Sequence, residues 1–312
     1  MLQFIERSER KKGFRLLILL EDSNFIFSSI QSFTGLKFEV IDYSSVSGGC
    51  INQCFRVRTD ISKTFFVKQN EKSFFPFFET EALALKEINE SQTIIVPKPI
   101  HWDKSPCTSF LVLEFIEEGS SNDTDGQRKM GEQVAAMHLV KKPFFGWTKD
   151  NCIGATPQPN PRSDDWITFY RESRLDHQFS LAKQKGKKFS GSKKLMENLE
   201  FFFKDYTPYP SLLHGDLWGG NKSFTRDGSP FIFDPATYYG DRETDLAFTY
   251  MFGGFSSAFY QGYQAVYPLD EGFSQRKTLY NLYHELNHFN LFGGGYANSA
   301  QSSINELLNQ IF

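Results

Sequence analysis

Cysteine is scarce in this chain. The 312 residues hold four, Cys50, Cys54, Cys107 and Cys152, and no two are spaced as Cys-x2-Cys. Such scatter argues against a disulfide framework and fits reduced thiols in a cytoplasmic protein. Cys50 and Cys54 could be half of a metal site, but no second pair completes it. Long apolar runs are also missing: none approaches the about 20 residues of a membrane span. The 34 phenylalanines therefore belong to a core and not to a bilayer. Charge of one sign is lacking as well. The net charge is −3 and there is no extended basic run, which argues against nucleic acid or a membrane surface as the main partner. A targeting leader is only imitated at the N-terminus. Arg10-Lys11-Lys12 precedes Leu16 to Leu20, but the apolar stretch is short, Glu21-Asp22 follow at once, and no small-residue cleavage site appears. A short helical extension is expected there. No internal repeat or low-complexity segment interrupts the rest.

What is present is concentrated in one run. Leu212-Leu213-His214-Gly215-Asp216-Leu217-Trp218-Gly219-Gly220-Asn221 is followed by Phe231-Ile232-Phe233-Asp234-Pro235. Leu212-Leu213 reads as a strand entering a tight loop, and the alternation around Ile232 as a second strand ending in Asp234. Phosphoryl transfer of the kinase type needs one group to orient and deprotonate an attacking hydroxyl and two to hold Mg²⁺. Asp216 suits the first role. Asn221 and Asp234 suit the second, since Mg²⁺ is a hard cation that takes oxygen ligands. His214, next to a glycine in such a loop, is expected to hydrogen-bond backbone and hold the loop. Asp241 and Asp245, just downstream, are expected to support the site from behind, Asp245 by capping a helix or bracing the catalytic loop. Trp218 lies within the loop, where an indole beside the reacting hydroxyl suits stacking on a sugar face.

Upstream, residues 38 to 70 alternate as strands: Phe38 to Ile41, Cys54 to Val57 and Thr64 to Lys68. Ser47-Gly48-Gly49-Cys50 sits between the first two. Glycines there let backbone N–H groups approach phosphates, so Gly48 and Gly49 are candidate nucleotide contacts, although a plain turn reads the same way. Lys68 closes an apolar strand. Phe78, Ala82, Leu85 and Ile88 then mark one face of a helix. Glu81 on that helix is the expected ion-pair partner that orients Lys68 toward phosphates, with Glu79 a rival. Phe110 to Phe115 is another strand, and Glu114, Phe115 and Ile116 are placed to meet an adenine edge with their backbone.

After the polar stretch from Gly119 to Asp125 the character turns helical. Met130, Val134 and Met137 recur at helical spacing, and His138 reads as a satisfied helix histidine. A long connection from Pro143 to Pro161 follows, then helices over Trp166 to Leu181, over Leu195 to Phe203, and a final packed one through Leu307, Leu308 and Ile311. His284 and His288 lie one turn apart, a spacing that zinc can use, but no glutamate sits correctly between them and packing is expected. The expected fold is α+β and two-lobed: a β-rich, nucleotide-binding N-terminal lobe over 25–118 and a mostly helical, catalytic lobe over 119–312, with 1–24 an extension.

Taken together, the His-Gly-Asp-Leu-Trp loop at 214–221, Phe-Asp-Pro-Ala-x-Tyr-Tyr-Gly-Asp-Arg-Glu-x-Asp-Leu-Ala at 233–247 and Gly-Gly-Cys-Ile-Asn at 48–52 resemble the fructosamine (ketosamine) kinases. Phe66-Val67-Lys68, Asn151-Cys152-Ile153-Gly154, Arg174-Leu175 and Leu286-Asn287-His288 add to the likeness, which runs from about residue 25 to the C-terminus. The resemblance implies a fold like that of aminoglycoside phosphotransferases, with ATP and Mg²⁺ as cofactors. It implies transfer of phosphate to the third carbon of a ketosamine, free or on a glycated protein, so that the adduct falls apart and the amine is regenerated. It assigns Asp216 as proton acceptor, Asn221 and Asp234 as metal ligands, and Lys68 with Glu81 as phosphate clamp. Cys50 takes the position of a phosphate-loop cysteine, which would make it a redox switch. The alternatives are a kinase of an aminoglycoside or choline-like alcohol and a dead nucleotide-binding scaffold. The sequence fixes neither the preferred sugar, with shorter ones favoured, nor the oligomeric state.

Overall fold

The computed structural model describes residues 22–46, 51–119 and 123–312. The expectations placed on Gly48, Gly49, Cys50 and residues 1–21 lie outside the described residues. The chain divides into two units. One takes the residues up to Leu83 together with Pro97–Ile116, the other Ala84–Val96 and Glu117–Phe312.

The first unit is built on β1 (Val40–Ser45), β2 (Gln53–Thr59), β3 (Thr64–Glu71), β4 (Pro99–Lys104) and β5 (Thr108–Glu114). They form an antiparallel five-stranded sheet in the order β1-β2-β3-β5-β4. The first strand begins at Val40, two residues later than the sequence suggests, although Phe38 still joins the core. Alternation explains the sheet's buried face: Val57, Phe65, Val67, Phe110 and Val112 point into one cluster with Ile26 and Ile30. The last two come from α1, helical residues 22–34, an element the sequence reading did not recognise. Its buried Asp22 is tied to the sheet edge, accepting from Gln69 Nε2 (3.1 Å), Thr108 Oγ1 (2.5 Å) and the Cys107 amide (3.1 Å). Helix α2 (Phe75–Glu90) follows β3. Its face of Phe78, Ala82, Leu85 and Ile88 is at most 1% exposed, as the spacing predicts.

The second unit is mostly helical. Asp123 caps α3 (Thr124–His138), accepting from the Gly126 amide at 2.7 Å, and Met130, Val134 and Met137 are fully buried. The connection read as open chain carries a hairpin, β6 (Asn151–Ile153) with β7 (Thr156–Gln158). The helix expected from Trp166 is α4 (Trp166–Tyr170), a π-helical stretch Arg171–Asp176 and α5 (His177–Gln184). The one over Leu195 to Phe203 is split into α6 (Ser192–Met196) and a 3₁₀ turn, Leu199–Phe203. Four short strands then shape the site. β8 (Ser211–Leu212) pairs with β11 (Tyr239–Gly240), and β9 (Lys222–Phe224) pairs with β10 (Pro230–Ile232). Helices α7 (Glu243–Thr249), α8 (Ser257–Val266), α9 (Phe273–Phe292) and α10 (Tyr296–Ile311) close the chain. In α10 the buried residues are Ala300, Ile304 and Leu307. Among the described residues no helix is long and apolar enough to cross a membrane.

Candidate active site

In the first unit, β3 places Lys68 between Cys54 of β2 and Leu111 of β5. The neighbouring strands cover its stem, and its Nζ donates to Glu81 Oε1 at 2.6 Å. With side-chain exposures of 4% and 14%, both charges are largely removed from water, so each depends on the other. A lysine held this way is a fixed point charge for an anion. At the end of β5 the Glu114 amide already donates to Lys98 O (2.8 Å). Any adenine contact by backbone N–H in this stretch falls to Phe115 and Ile116.

In the second unit, the paired strands bring the two motif ends together. The carbonyl of His214 accepts from the Ala236 amide at 2.8 Å, and that of Asn221 from the Phe233 amide at 3.1 Å. Gly215 has φ +81°, and a Cβ there would lie 2.0 Å from Ala236 O. Only glycine allows the loop to approach the Asp234 segment so closely. Asp234 itself sits at φ +59°, a left-handed conformation that aspartate tolerates better than most residues.

Asp245, at the start of α7, accepts from the amides of His214 (2.7 Å) and Gly215 (2.8 Å). One carboxylate thus holds both peptide groups that precede Asp216. His138 orients that carboxylate, its Nε2 lying 3.1 Å from Asp245 Oδ2 and its Nδ1 2.8 Å from Tyr263 Oη. Helical spacing alone reads His138 as a packed helix residue with no link to the site. His214 behaves as expected: Nε2 meets Phe233 O at 2.9 Å while Nδ1 accepts from the Asp216 amide at 3.2 Å. Accepting at Nδ1 requires a neutral ring, and burial pushes its pKa down accordingly. Asp241 turns the other way, accepting from Tyr206 Oη (2.9 Å) and Tyr280 Oη (2.5 Å). It braces the helical core and not the catalytic loop.

Asn221 donates its Nδ2 to Asp216 O (2.9 Å) and Oδ2 (3.0 Å). That orientation turns its amide oxygen away from Asp216. Burial pushes the Asp216 carboxyl up to about 7, against the Asn221 hydrogen bond, and the charges of Asp234 and Asp245 add to the rise. The Asn221 amide oxygen, facing away from Asp216, and the nearby Asp234 carboxylate are oxygen donors of the kind a hard divalent cation takes. Asn221 and Asp234 are the residues that would hold it. Among the described residues no group of three or more His, Cys, Asp or Glu forms a metal cage, so two protein ligands leave the remaining positions to phosphate oxygens and water.

A further layer lies against the segment that follows Asp234, and its parts are too far apart in sequence to predict. Asn151 Nδ2 donates to Thr237 O (2.8 Å) and Gln158 Nε2 to Ala236 O (3.0 Å). Arg174, in the π-helical stretch, lies over the Tyr238 ring at 4.0 Å and donates to Asn160 Oδ1 at 2.7 Å. Trp218 is 36% exposed. Its indole folds over Gly220, where a Cβ would meet the ring at 2.3 Å.

Comparison with known proteins fits this geometry. The family model for fructosamine kinase matches residues 23–310. The chain belongs to the fructosamine kinase family. A Synechocystis protein named probable ketoamine kinase is 46% identical over 284 residues, 91% of this chain and 96% of its own. The chloroplastic protein-ribulosamine 3-kinase of Arabidopsis thaliana is 41% identical over 283 residues, 89% of this chain and 86% of its own. A Haemophilus somnus crystal structure described as a fructosamine-3-kinase superposes with a TM-score of 0.86 at 31% identity, covering 94% of this chain and 99% of that one. A choline kinase from Streptococcus pneumoniae (TM-score 0.61, 16% identity, 92% and 99% covered) shares the fold alone. The fold is thus the α+β, protein-kinase-like one of the phosphotransferases, with an antiparallel sheet in the N-terminal unit and helices in the C-terminal one.

Proposed function

We propose that this fructosamine kinase family member moves the γ-phosphate of ATP to the hydroxyl on the third carbon of a ketosamine. The phosphorylated adduct then breaks down and the amine is recovered, which is repair of glycation. The observation that carries the reading is the loop of Asp216, Trp218 and Asn221, held by Asp245 against the Asp234 segment.

Asp216 accepts the hydrogen bond of the acceptor hydroxyl and aims its oxygen at the phosphorus. As the new O–P bond forms and the bond to ADP breaks, the proton passes to the Asp216 carboxylate. Asn221 contributes twice, fixing Asp216 through Nδ2 and offering its oxygen to the metal beside Asp234. Mg²⁺, when bound, offsets the charge of the phosphates and of these carboxylates. Lys68, held by Glu81, serves the phosphates from the first unit, with Gly48 and Gly49 assigned to the same task and Phe115 and Ile116 to the base. We assign nucleotide handling to 25–118 and acceptor chemistry to 119–312. Trp218 offers its ring to the sugar, which favours a ketosamine over a choline-like alcohol. The scattered cysteines are in keeping with the cytoplasmic location we assign.

The test is ATP- and Mg²⁺-dependent phosphorylation of a ribulosamine and a fructosamine of the same amine. Turnover of at least one is expected, with a loss of at least about a hundredfold in Asp216→Asn, as a positioned base implies. No turnover of either by a protein that still binds ATP would sink the reading.

A further inference from the structure

The segment that follows Asp234 has its carbonyls taken by side chains from far upstream. Arg174, in the π-helical stretch, is fully buried, and among the described residues no carboxylate pairs with it. Its guanidinium donates instead to neutral oxygens: Nη1 to Pro159 O (2.6 Å) and Ser173 O (3.1 Å), Nη2 to Asn160 Oδ1 (2.7 Å). Asn160 Nδ2 then donates to Asn151 Oδ1 (2.9 Å), and Asn151 Nδ2 to Thr237 O (2.8 Å). Gln158 Nε2 adds a branch, donating to Asn151 Oδ1 (2.8 Å) and to Ala236 O (3.0 Å). Arg174, Asn160, Asn151 and Gln158 are each at most 5% exposed, which leaves them little access to water.

The direction of this chain of bonds is fixed at both ends. A guanidinium has only donors, and a peptide carbonyl only accepts. Asn160 must therefore turn its oxygen to Arg174, and Asn151 its nitrogen to Thr237. The cation heads a run of aligned dipoles in which each bond polarises the next. Its far end lies three residues past Asp234. Asp234 sits at φ +59°, a conformation that persists only where the surroundings over-determine it. Before it the Phe233 amide donates to Asn221 O, and after it the Ala236 amide donates to His214 O. Gln158 and Asn151 then take the carbonyls of Ala236 and Thr237.

We infer that Arg174, Asn160, Asn151 and Gln158 form a relay of positioning residues that holds Asp234 in the posture a divalent cation needs. The inference rests on the reading of Asp234 as a metal ligand and extends it to the groups that aim that ligand. None of the four touches the cation or the nucleotide. They set the backbone from which the carboxylate projects, and metal affinity depends on such support as well as on the ligands themselves. Asp245 secures the peptide groups before Asp216; the relay secures those after Asp234.

The experiment is a titration with Mn²⁺, standing in for Mg²⁺, in the presence of ADP, with free Mn²⁺ read by electron paramagnetic resonance. In Asn160→Asp the new carboxylate still meets Arg174, now as an ion pair, but has no hydrogen to give Asn151. The Mn²⁺ Kd is expected to rise about tenfold, the lower end of what such support is worth. Asn151→Asp removes the last donation and is expected to raise it as much. Site number and Kd are separate outputs of the titration, so unfolded protein lowers the first and leaves the second. A Kd within about twofold of wild type in either variant overturns the relay, since support of this kind is worth more. Asp234→Asn separates the two readings. A weakened Mn²⁺ Kd there keeps the metal assignment whatever the relay variants show, and an unchanged one overturns both.

Discussion

Asp241 and Asp245 stand four residues apart in one motif, and the sequence sets both behind the site, with a bracing role expected of Asp245. In the fold they belong to different regions. Asp245 faces the catalytic loop, where its carboxylate takes the amides of His214 and Gly215 and is steadied by His138. Asp241 faces the helical core, taking the hydroxyls of Tyr206 and Tyr280. Beside it, Arg276 of α9 makes two contacts to Glu243, Nε to Oε2 at 2.7 Å and Nη2 to Oε1 at 3.1 Å, and one to Asp270 at 2.6 Å. The same residue type at one helix start thus braces the candidate catalytic loop on one side and the helical core on the other. Buried carboxylates near a site are not evidence of a catalytic role until their partners are known.

The sharpest way to break this division is at Arg276, which is 3% exposed. Arg276→Ala leaves Glu243 buried without its cation and is expected to cost about 3–5 kcal/mol of stability, measured by denaturant unfolding. Turnover per folded molecule should stay within about twofold. A hundredfold loss of turnover with stability unchanged would show that the core side also serves the reaction.

Asp245→Asn is expected to give the converse. Two loop amides lose a charged acceptor, and misplacement of Asp216 by about 1 Å costs on the order of a hundredfold in kcat. The ATP KM, to which Asp245 contributes no proposed contact, should move far less than kcat. An equal rise in the ATP KM would mean that Asp245 acts through general unfolding.

The smallest effect concerns protons. Burial holds the pKa of His214 below the ordinary 6.5, and that of His284 well below it. Above pH 6.5 both folded and unfolded chains keep these rings neutral and no penalty arises. Below it the unfolded chain takes up protons that the folded one refuses, so stability falls as pH drops from 7 toward 5, by roughly 1 kcal/mol or more. His284→Phe keeps a ring against Phe248 and should flatten the dependence of Tm on pH. An unchanged slope would exclude His284 as a source.

Legibility followed sequence distance. The Lys68–Glu81 pair lies within one strand and the next helix, and the 214–221 loop carries its own chemistry at short spacing, so both could be placed from the residues alone. The hairpin at 151–158 escaped because its strands are three residues long and its Asn151 and Gln158 reach the carbonyls of Thr237 and Ala236 far along the chain. Helix α1 escaped because its pattern rests on Ile26 and Ile30, too few positions to declare a period. Helical spacing over Trp166 to Leu181 predicted the helix but not the π-helical stretch that carries Arg174 to Tyr238.

The sequence by itself determined most of the larger elements and the candidate reacting groups, because strand alternation, helical spacing and a fixed loop register are local properties of neighbouring residues. The tertiary structure decided which groups support them. That Asp245 holds the loop and Asp241 does not, that His138 orients Asp245, and that Asn151 reaches Thr237 all depend on close packing between segments remote in sequence. Such contacts are fixed by the shape of the whole core and leave no periodic trace in the chain.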